Sequence, residues 1–151
     1  MYLHSFIRKQ TLNTNINECW NFFSNPKNIS LITPPKMNFV ILTELSEEIY
    51  PGLLIQYKVS PLLSIPMNWV TEITQVNKPF FFIDEQRFGP YKFWHHQHLF
   101  EEVQGKVEMT DIVHYRIPFG LIGNAFGNWL IKRQLNKIFD YRAKKMCDIF
   151  K

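Results

Sequence analysis

Residues 94–117 read WHHQHLFEEVQGKVEMTDIVHYRI, and this stretch decides the fold. Apolar and polar side chains alternate on both sides of the Gln104-Gly105 pair, which is typical of two antiparallel strands joined by a two-residue turn. Because side chains on a strand alternate between its two faces, His96 and His98 share one face and His95 points to the other. The stretch therefore predicts a hairpin with two histidines on one side.

The turn also determines which residues face each other across the hairpin. With Val103 opposite Lys106, four pairs follow on one face: Trp94 with Tyr115, His96 with Val113, His98 with Asp111, and Phe100 with Met109. A slip of one residue would move the two halves of each pair to opposite faces. The aspartate interrupts an apolar alternation, and this register gives it a histidine partner. We therefore predict a cross-strand pair of His98 and Asp111.

The rest of the chain supplies further strands and one long helix. Alternating patterns predict strands over 3–11, 38–44, 53–60, 67–76, 80–88, 91–103 and 106–117. After the first strand, Asn15 is a candidate N-cap for a short helix that ends at Pro26, and a second short helix ends before Pro34. Beyond Pro118, apolar residues recur at helical spacing to about residue 150.

This order predicts an α+β fold, in which a curved antiparallel sheet of about seven strands wraps round the C-terminal helix. A chain of 151 residues is expected to form one domain, over residues 1–151. Aromatic residues make up 16% of the chain, which suits either a thick core or a cavity lined with rings.

Four segments resemble a known superfamily: CWNFFSNPKNISLITPP, FIDEQRFGPYKFWHHQHLF, MTDIVHYRIPFGLIG and IFDYR. They are similar to the cyclase/dehydrase-like branch of the START-like (SRPBCC) superfamily, in a group of bacterial proteins. The resemblance runs from about residue 3 to residue 150. It implies the helix-grip fold of the birch-pollen allergen. It also implies a deep cavity between sheet and helix for a hydrophobic or amphipathic molecule, such as a lipid or polyketide.

The faces of the predicted strands indicate which side chains line such a cavity. The candidates are Tyr57, Trp69, Thr71, Asp84, Gln86, Trp94, His96, His98, Asp111 and Tyr115. The aromatic members would hold the body of a ligand, and the polar members would orient its polar end. The direction of Asp84 and Gln86 depends on the connection around Gly89-Pro90, so their membership stays open.

The histidines admit three interpretations. We expect a polar network that orients a bound small hydrophobic or amphipathic ligand without chemistry. Alternatively, His98 and Asp111 form a general acid/base pair of a cyclase/dehydratase-type enzyme. A metal site would need His96 and His98 with a carboxylate, but the H-x-H pattern is short and common by chance. We therefore expect no metal and no cofactor.

Charge and cysteine usage limit the partners. The net charge is +4, and a late group of basic residues contributes to it: Lys132, Arg133, Lys137, Arg142, Lys144, Lys145 and Lys151. We interpret them as the solvated face of the long helix, without a nucleic-acid partner, because no nucleic-acid motif accompanies them. No run is apolar enough to predict stable membrane insertion. Cys19 and Cys147 form no C-x-x-C pair, which favours a reducing, cytoplasmic location.

Overall fold

The strands of the protein form an antiparallel sheet that curves over one long helix. The structure, a computed structural model, describes residues 3–60, 65–118 and 120–151, with the side chains of all of these except 120–126. The strands are β1 (His4–Leu12), β2 (Val40–Ile41), β3 (Leu54–Val59), β4 (Met67–Asn77), β5 (Phe81–Phe88), β6 (Phe93–Val103) and β7 (Lys106–Arg116). Their order in the sheet is β1-β7-β6-β5-β4-β3-β2, so the first strand pairs with the last.

Helices cover one face of this sheet. Helix α1 spans Ile16–Phe23, and the side chain of its N-cap, Asn15, accepts a hydrogen bond from the backbone of Glu18 at 3.0 Å. The predicted second short helix is a 3-10 helix over Pro26–Ile32, followed by a 3-10 turn over Pro35–Met37. Helix α2 spans Gly120–Ile149 and packs against β1 and the first 3-10 helix.

The predicted register of the central hairpin is confirmed. His98 faces Asp111, Phe100 faces Met109, and Val103 faces Lys106 across the turn. The turn residues Gln104 and Gly105 have φ values of 52° and 74°. Positive φ at both central positions is the signature of the two-residue turn whose twist matches that of the strands.

The second predicted strand is much shorter than expected. The pattern predicted strand structure over 38–44, but β2 contains only Val40 and Ile41. Asn38 adopts a left-handed conformation with φ of 47°, which ends the extended chain on one side. On the other side, the hydroxyl of Thr43 accepts the N–H of Gln56 at 3.3 Å, in place of a backbone carbonyl. One backbone pair still follows β2, since the N–H of Leu42 donates to the carbonyl of Gln56 at 2.8 Å, and the side-chain acceptor then ends the regular ladder.

Two apolar clusters form the core. The first contains Leu12, Cys19, Trp20, Phe23, Ile32, Ile49, Leu53, Ile55, Ile73, Phe82, Phe100, Val107, Met109 and Met146. The second contains Phe6, Val113, Tyr115, Ile131, Leu135 and Phe139. Both clusters join the inner face of the sheet to α2, and they meet α2 at different levels along its axis. None of the described helices is both long and apolar enough to cross a membrane.

We expect Trp20→Ala to lower the free energy of unfolding by about 3–5 kcal/mol, the usual cost of deleting a buried tryptophan. Trp20 is fully buried, meets Phe82 and Phe100 edge-on, and donates a hydrogen bond to Glu48 at 3.0 Å. Urea unfolding measures the change. The control is Phe88→Ala, since Phe88 is 72% exposed. Similar losses in the two variants would contradict the assignment of Trp20 to the core.

Candidate functional site

A cavity of about 170 Å³ lies between the inner face of the sheet and α2. The sheet side is lined by alternate residues of β3 and β4: Ile55, Tyr57, Val59, Trp69, Thr71 and Ile73. Phe22 and Phe23 of α1 and Leu135, Ile138 and Phe139 of α2 line the helical side. Phe23 belongs to the first apolar cluster, and Phe22 packs against it. The structure places both at the cavity wall as well.

Aromatic rings in mutual contact form one wall of this cavity. Trp69 is central: its ring centroid lies 5.9 Å from that of Tyr57, 5.4 Å from Trp94 and 5.6 Å from Tyr91. Tyr91 also contacts Trp94 at 4.9 Å. Contacts between several rings restrict the movement of each one. The wall is therefore a firm apolar surface suited to a flat or branched apolar molecule.

Five ionisable side chains lie close together beside this apolar wall. We call them the polar layer: Asp84, His96, His98, Asp111 and Arg142. Asp84 comes from β5 and faces His96 in the register of the sheet, so its side chain points inward. His96 and His98 come from β6, Asp111 from β7 and Arg142 from α2. His96, His98 and Asp111 are buried, with exposures of 5%, 7% and 4%.

Both histidines lie between the same two carboxylates. His96 Nε2 is 2.8 Å from Asp111 Oδ1, and its Nδ1 is 3.4 Å from Asp84 Oδ2. His98 Nε2 is 2.7 Å from Asp84 Oδ2. Its Nδ1 is 3.1 Å from Asp111 Oδ1, without the alignment of a hydrogen bond. The two imidazole rings contact each other, with centroids 3.8 Å apart.

This arrangement shifts the pKa values of the two histidines in opposite directions. Burial opposes a charge on His98, but the carboxylates of Asp111 and Asp84 outweigh burial and raise the pKa of His98 above its ordinary value. Burial and the adjacent His98 lower the pKa of His96, and the carboxylates offset this only in part. The pKa values of Asp84 and Asp111 are lowered, because the histidines outweigh the burial of both carboxyl groups. His98 is therefore protonated more readily than His96.

Three of the predicted site residues do not line the cavity among the described residues: Gln86, Asp111 and Tyr115. Asp111 lies behind the histidines and holds them. The amide of Gln86 donates to the carbonyl of Tyr91 at 2.7 Å and accepts the N–H of Tyr91 at 3.2 Å. Tyr115 donates its hydroxyl proton to Asn128 on α2 at 2.8 Å. Gln86 and Tyr115 therefore support neighbouring structure rather than the cavity surface.

Tyr91 and Arg142 are among the cavity residues that the sequence analysis did not predict. Arg142 was assigned to the solvated face of α2, and that assignment is wrong: its side chain is 16% exposed and reaches the cavity. Its spacing gave a signal, since Arg142 follows Ile138 by four residues and precedes Met146 by four, on the apolar stripe. Tyr91 follows the Gly89-Pro90 turn, and no periodicity marks its direction.

Donor atoms of Asp84, His96 and His98 all lie within 4.8 Å of one another, which is close enough to surround a small cation. Both carboxylates already contact the two histidines, and Nε2 of His98 is directed at Asp84 at 2.7 Å. Arg142 adds a positive charge 3.9 Å from Asp111. The expectation of no metal stays a prediction.

Asp111→Asn tests whether the facing carboxylates raise the pKa of His98. Removing one of the two facing carboxylates should lower the pKa of His98 by at least about one unit. Titration of the imidazole C–H signals by nuclear magnetic resonance measures this pKa directly. Glu108→Gln is the matched control, because Glu108 lies on the same strand with its side chain directed at Lys9 and away from the layer. A pKa of His98 that is equal in all three proteins would contradict the arrangement.

No family model and no curated protein matches the sequence. In structure, the chain is similar to protein Ms6760 from Mycobacterium smegmatis, with a TM-score of 0.73, 12% identity and coverage of 97% of this chain and 90% of that one. Ginseng major latex-like protein 151 from Panax ginseng gives a TM-score of 0.71, 10% identity and coverage of 98% and 97%. Ara h 8.0201 gives a TM-score of 0.68, 10% identity and coverage of 97% of this chain and 99% of that one. The chain therefore has the helix-grip fold, as the resemblance of its sequence implied.

Proposed function

We propose that this protein binds a small hydrophobic or amphipathic molecule, lipid-like or polyketide-like in character. The apolar body of the ligand lies against the aromatic wall, and its polar end lies against the polar layer. The observation that carries the proposal is the cavity itself, because one space between the sheet and α2 is lined both by mutually packed rings and by buried ionisable side chains. Sites for small molecules are mostly apolar, with a few polar groups that orient the ligand.

Unused hydrogen-bonding groups also support a ligand in this space. The indole Nε1 of Trp69 is buried and has no hydrogen-bond partner among the described residues. The hydroxyls of Tyr57 and Thr71 bond to each other at 2.9 Å, which leaves one hydroxyl proton free. Buried donors without acceptors are costly, and native proteins contain few of them. A polar atom of a ligand or a water molecule would satisfy such donors.

Filling the cavity should abolish binding of an apolar dye. Ile138 lines the cavity and is half-buried, so Ile138→Trp places an indole in the ligand space. We expect the variant to weaken binding of Nile red, an uncharged apolar dye, by at least about tenfold, which corresponds to 1.4 kcal/mol. The measurement is a fluorescence titration of protein that has been stripped of co-purifying ligand.

The matched control is Lys137→Trp, which adds the same ring at an exposed neighbouring position. Equal dye binding by Ile138→Trp, Lys137→Trp and the unchanged protein would contradict a ligand site in the cavity. Native mass spectrometry of freshly purified protein provides an independent check. A co-purifying lipid-sized mass that disappears in Ile138→Trp is the expected result.

A second candidate function is acid–base chemistry of the cyclase/dehydratase type. The observation that favours it is the contact between His96 and His98 at the cavity surface, with ring centroids 3.8 Å apart and pKa values shifted in opposite directions. Two titratable groups whose pKa values are pushed apart can divide the roles of acid and base. In this reaction, His96 removes a proton from the carbon next to a carbonyl, and protonated His98 gives a proton to the oxygen. Asp111 touches no substrate and positions both rings.

For this second candidate, His98→Gln should abolish turnover of a carbonyl substrate, while affinity for the substrate stays within about tenfold. The measurement compares kcat with the dissociation constant for each variant. His95→Gln is the control, because His95 is the neighbouring histidine on the outer face and pairs with Glu85. A parallel loss of binding and turnover in His98→Gln would leave only the binding function.

A further inference from the structure

Arg142 is a cation that faces the cavity and has no hydrogen-bond acceptor within the part of the chain that the structure describes. Its nearest carboxylate oxygen, Asp111 Oδ1, lies 3.9 Å from Nη1, which is beyond hydrogen-bonding distance. Its Nε is buried and has no partner among the described residues. The guanidinium packs over the ring of Phe139, with Cζ 4.9 Å from the centroid. Contact with the ring holds the group in place but accepts none of its five N–H donors.

The other arginine beside the polar layer is satisfied. Arg8 on β1 faces Asp111 in the register of the sheet, as a neighbour of the same aspartate. Its Nη2 donates to Asp140 at 2.9 Å and to Asn136 at 3.1 Å, both on α2. Arg8 therefore serves to join β1 to α2. Arg142 makes no such contact, and its position on the cavity surface leaves its donors available to a bound molecule.

We propose that Arg142 binds the carboxylate of an amphipathic carboxylic acid, whose apolar body lies against the aromatic wall. This step rests on the ligand-binding function proposed above and names the chemical class of the ligand. A guanidinium presents a planar fork of donors that matches the two oxygens of a carboxylate. The free hydroxyl proton of the Tyr57–Thr71 pair is a further donor. Burial raises the pKa of Tyr57, and the charge of Arg142 is close enough to oppose that rise.

The charge balance of the site adds a consequence. In this layer, the carboxylates of Asp84 and Asp111 face the guanidinium of Arg142 and the two imidazoles of His96 and His98. A bound carboxylate adds one negative charge, which a proton on His96 would neutralise. His96 is surrounded by Asp84 on β5, His98 and Trp94 on β6, Asp111 on β7, and Phe139 and Arg142 on α2. The Nδ1 atom of His96, 3.4 Å from Asp84, is the position for this proton.

Matched ligands test the assignment. Decanoic acid, methyl decanoate and decanol share an apolar chain but differ in the charge of the head group. We expect the unchanged protein to bind decanoic acid at least about tenfold more tightly than decanol in calorimetric titrations. Arg142→Gln should remove that preference by weakening only the acid, and Arg142→Lys should keep part of it. Lys144→Gln, which removes an exposed charge from the same helix, should change nothing.

Several results would overturn the proposal. One is equal affinity of the unchanged protein for the acid and the alcohol. Another is an Arg142→Gln variant that keeps its circular dichroism spectrum and melting temperature but loses affinity for both ligands alike. A protein that binds the apolar dye but shows no preference for the acid overturns the carboxylate assignment alone. A protein that binds neither the dye nor any of the three ligands also overturns the proposed binding function.

The pH dependence of ligand binding provides a second test of the proposal. Because binding is linked to protonation of His96, decanoic acid should bind more tightly as the pH falls from about 8 to about 6, whereas decanol should not. Calorimetry in two buffers of different ionisation enthalpy should show the uptake of roughly one proton per bound acid. Release of a proton, or pH-independent binding of the acid, would contradict the linkage to His96.

Discussion

One carboxylate oxygen, Asp111 Oδ1, joins three elements of the fold. It lies 2.8 Å from His96 and 3.1 Å from His98 on β6, and 3.9 Å from Arg142 on α2. A buried carboxylate is stable in an ionised form only while cations and hydrogen-bond donors surround it. Any movement of β6, β7 or α2 relative to the others would therefore leave a charge uncompensated. The position of the long helix over the sheet therefore depends on the ion pairs of the polar layer.

The layer also divides the interior. Along β7, Asp111 lies between Met109 of the first apolar cluster and Val113 of the second. On α2, Arg142 likewise lies between members of the two clusters. Apolar contacts alone tolerate sliding and repacking, whereas a buried ionic layer is satisfied in one register only. The sheet gains a defined alignment from this layer, and the cavity gains a polar end at a fixed distance from the aromatic wall.

The sequence was most informative where short-range rules determine long-range contacts. The Gln104-Gly105 turn set the register of β6 and β7, so the pairing of His98 with Asp111 could be predicted. The orientation of Asp84 could not, because it depends on the longer connection between β5 and β6. Arg142 was misplaced because charge was given more weight than spacing. On an amphipathic helix, a basic residue on the apolar stripe is a candidate site residue, since burying its charge requires a partner.

The two candidate functions use the same histidines but require different charge states. A bound carboxylate draws a proton onto His96, and an imidazole with two N–H groups has no lone pair with which to remove a proton from carbon. Proton abstraction requires neutral His96 and hence an uncharged carbonyl ligand, which leaves the charge balance of the layer unchanged. The charge of the ligand therefore decides between the functions. On these proposals, Arg142 would hold an anionic molecule and His96 would take up a proton, whereas a neutral molecule would leave His96 able to accept a proton from carbon.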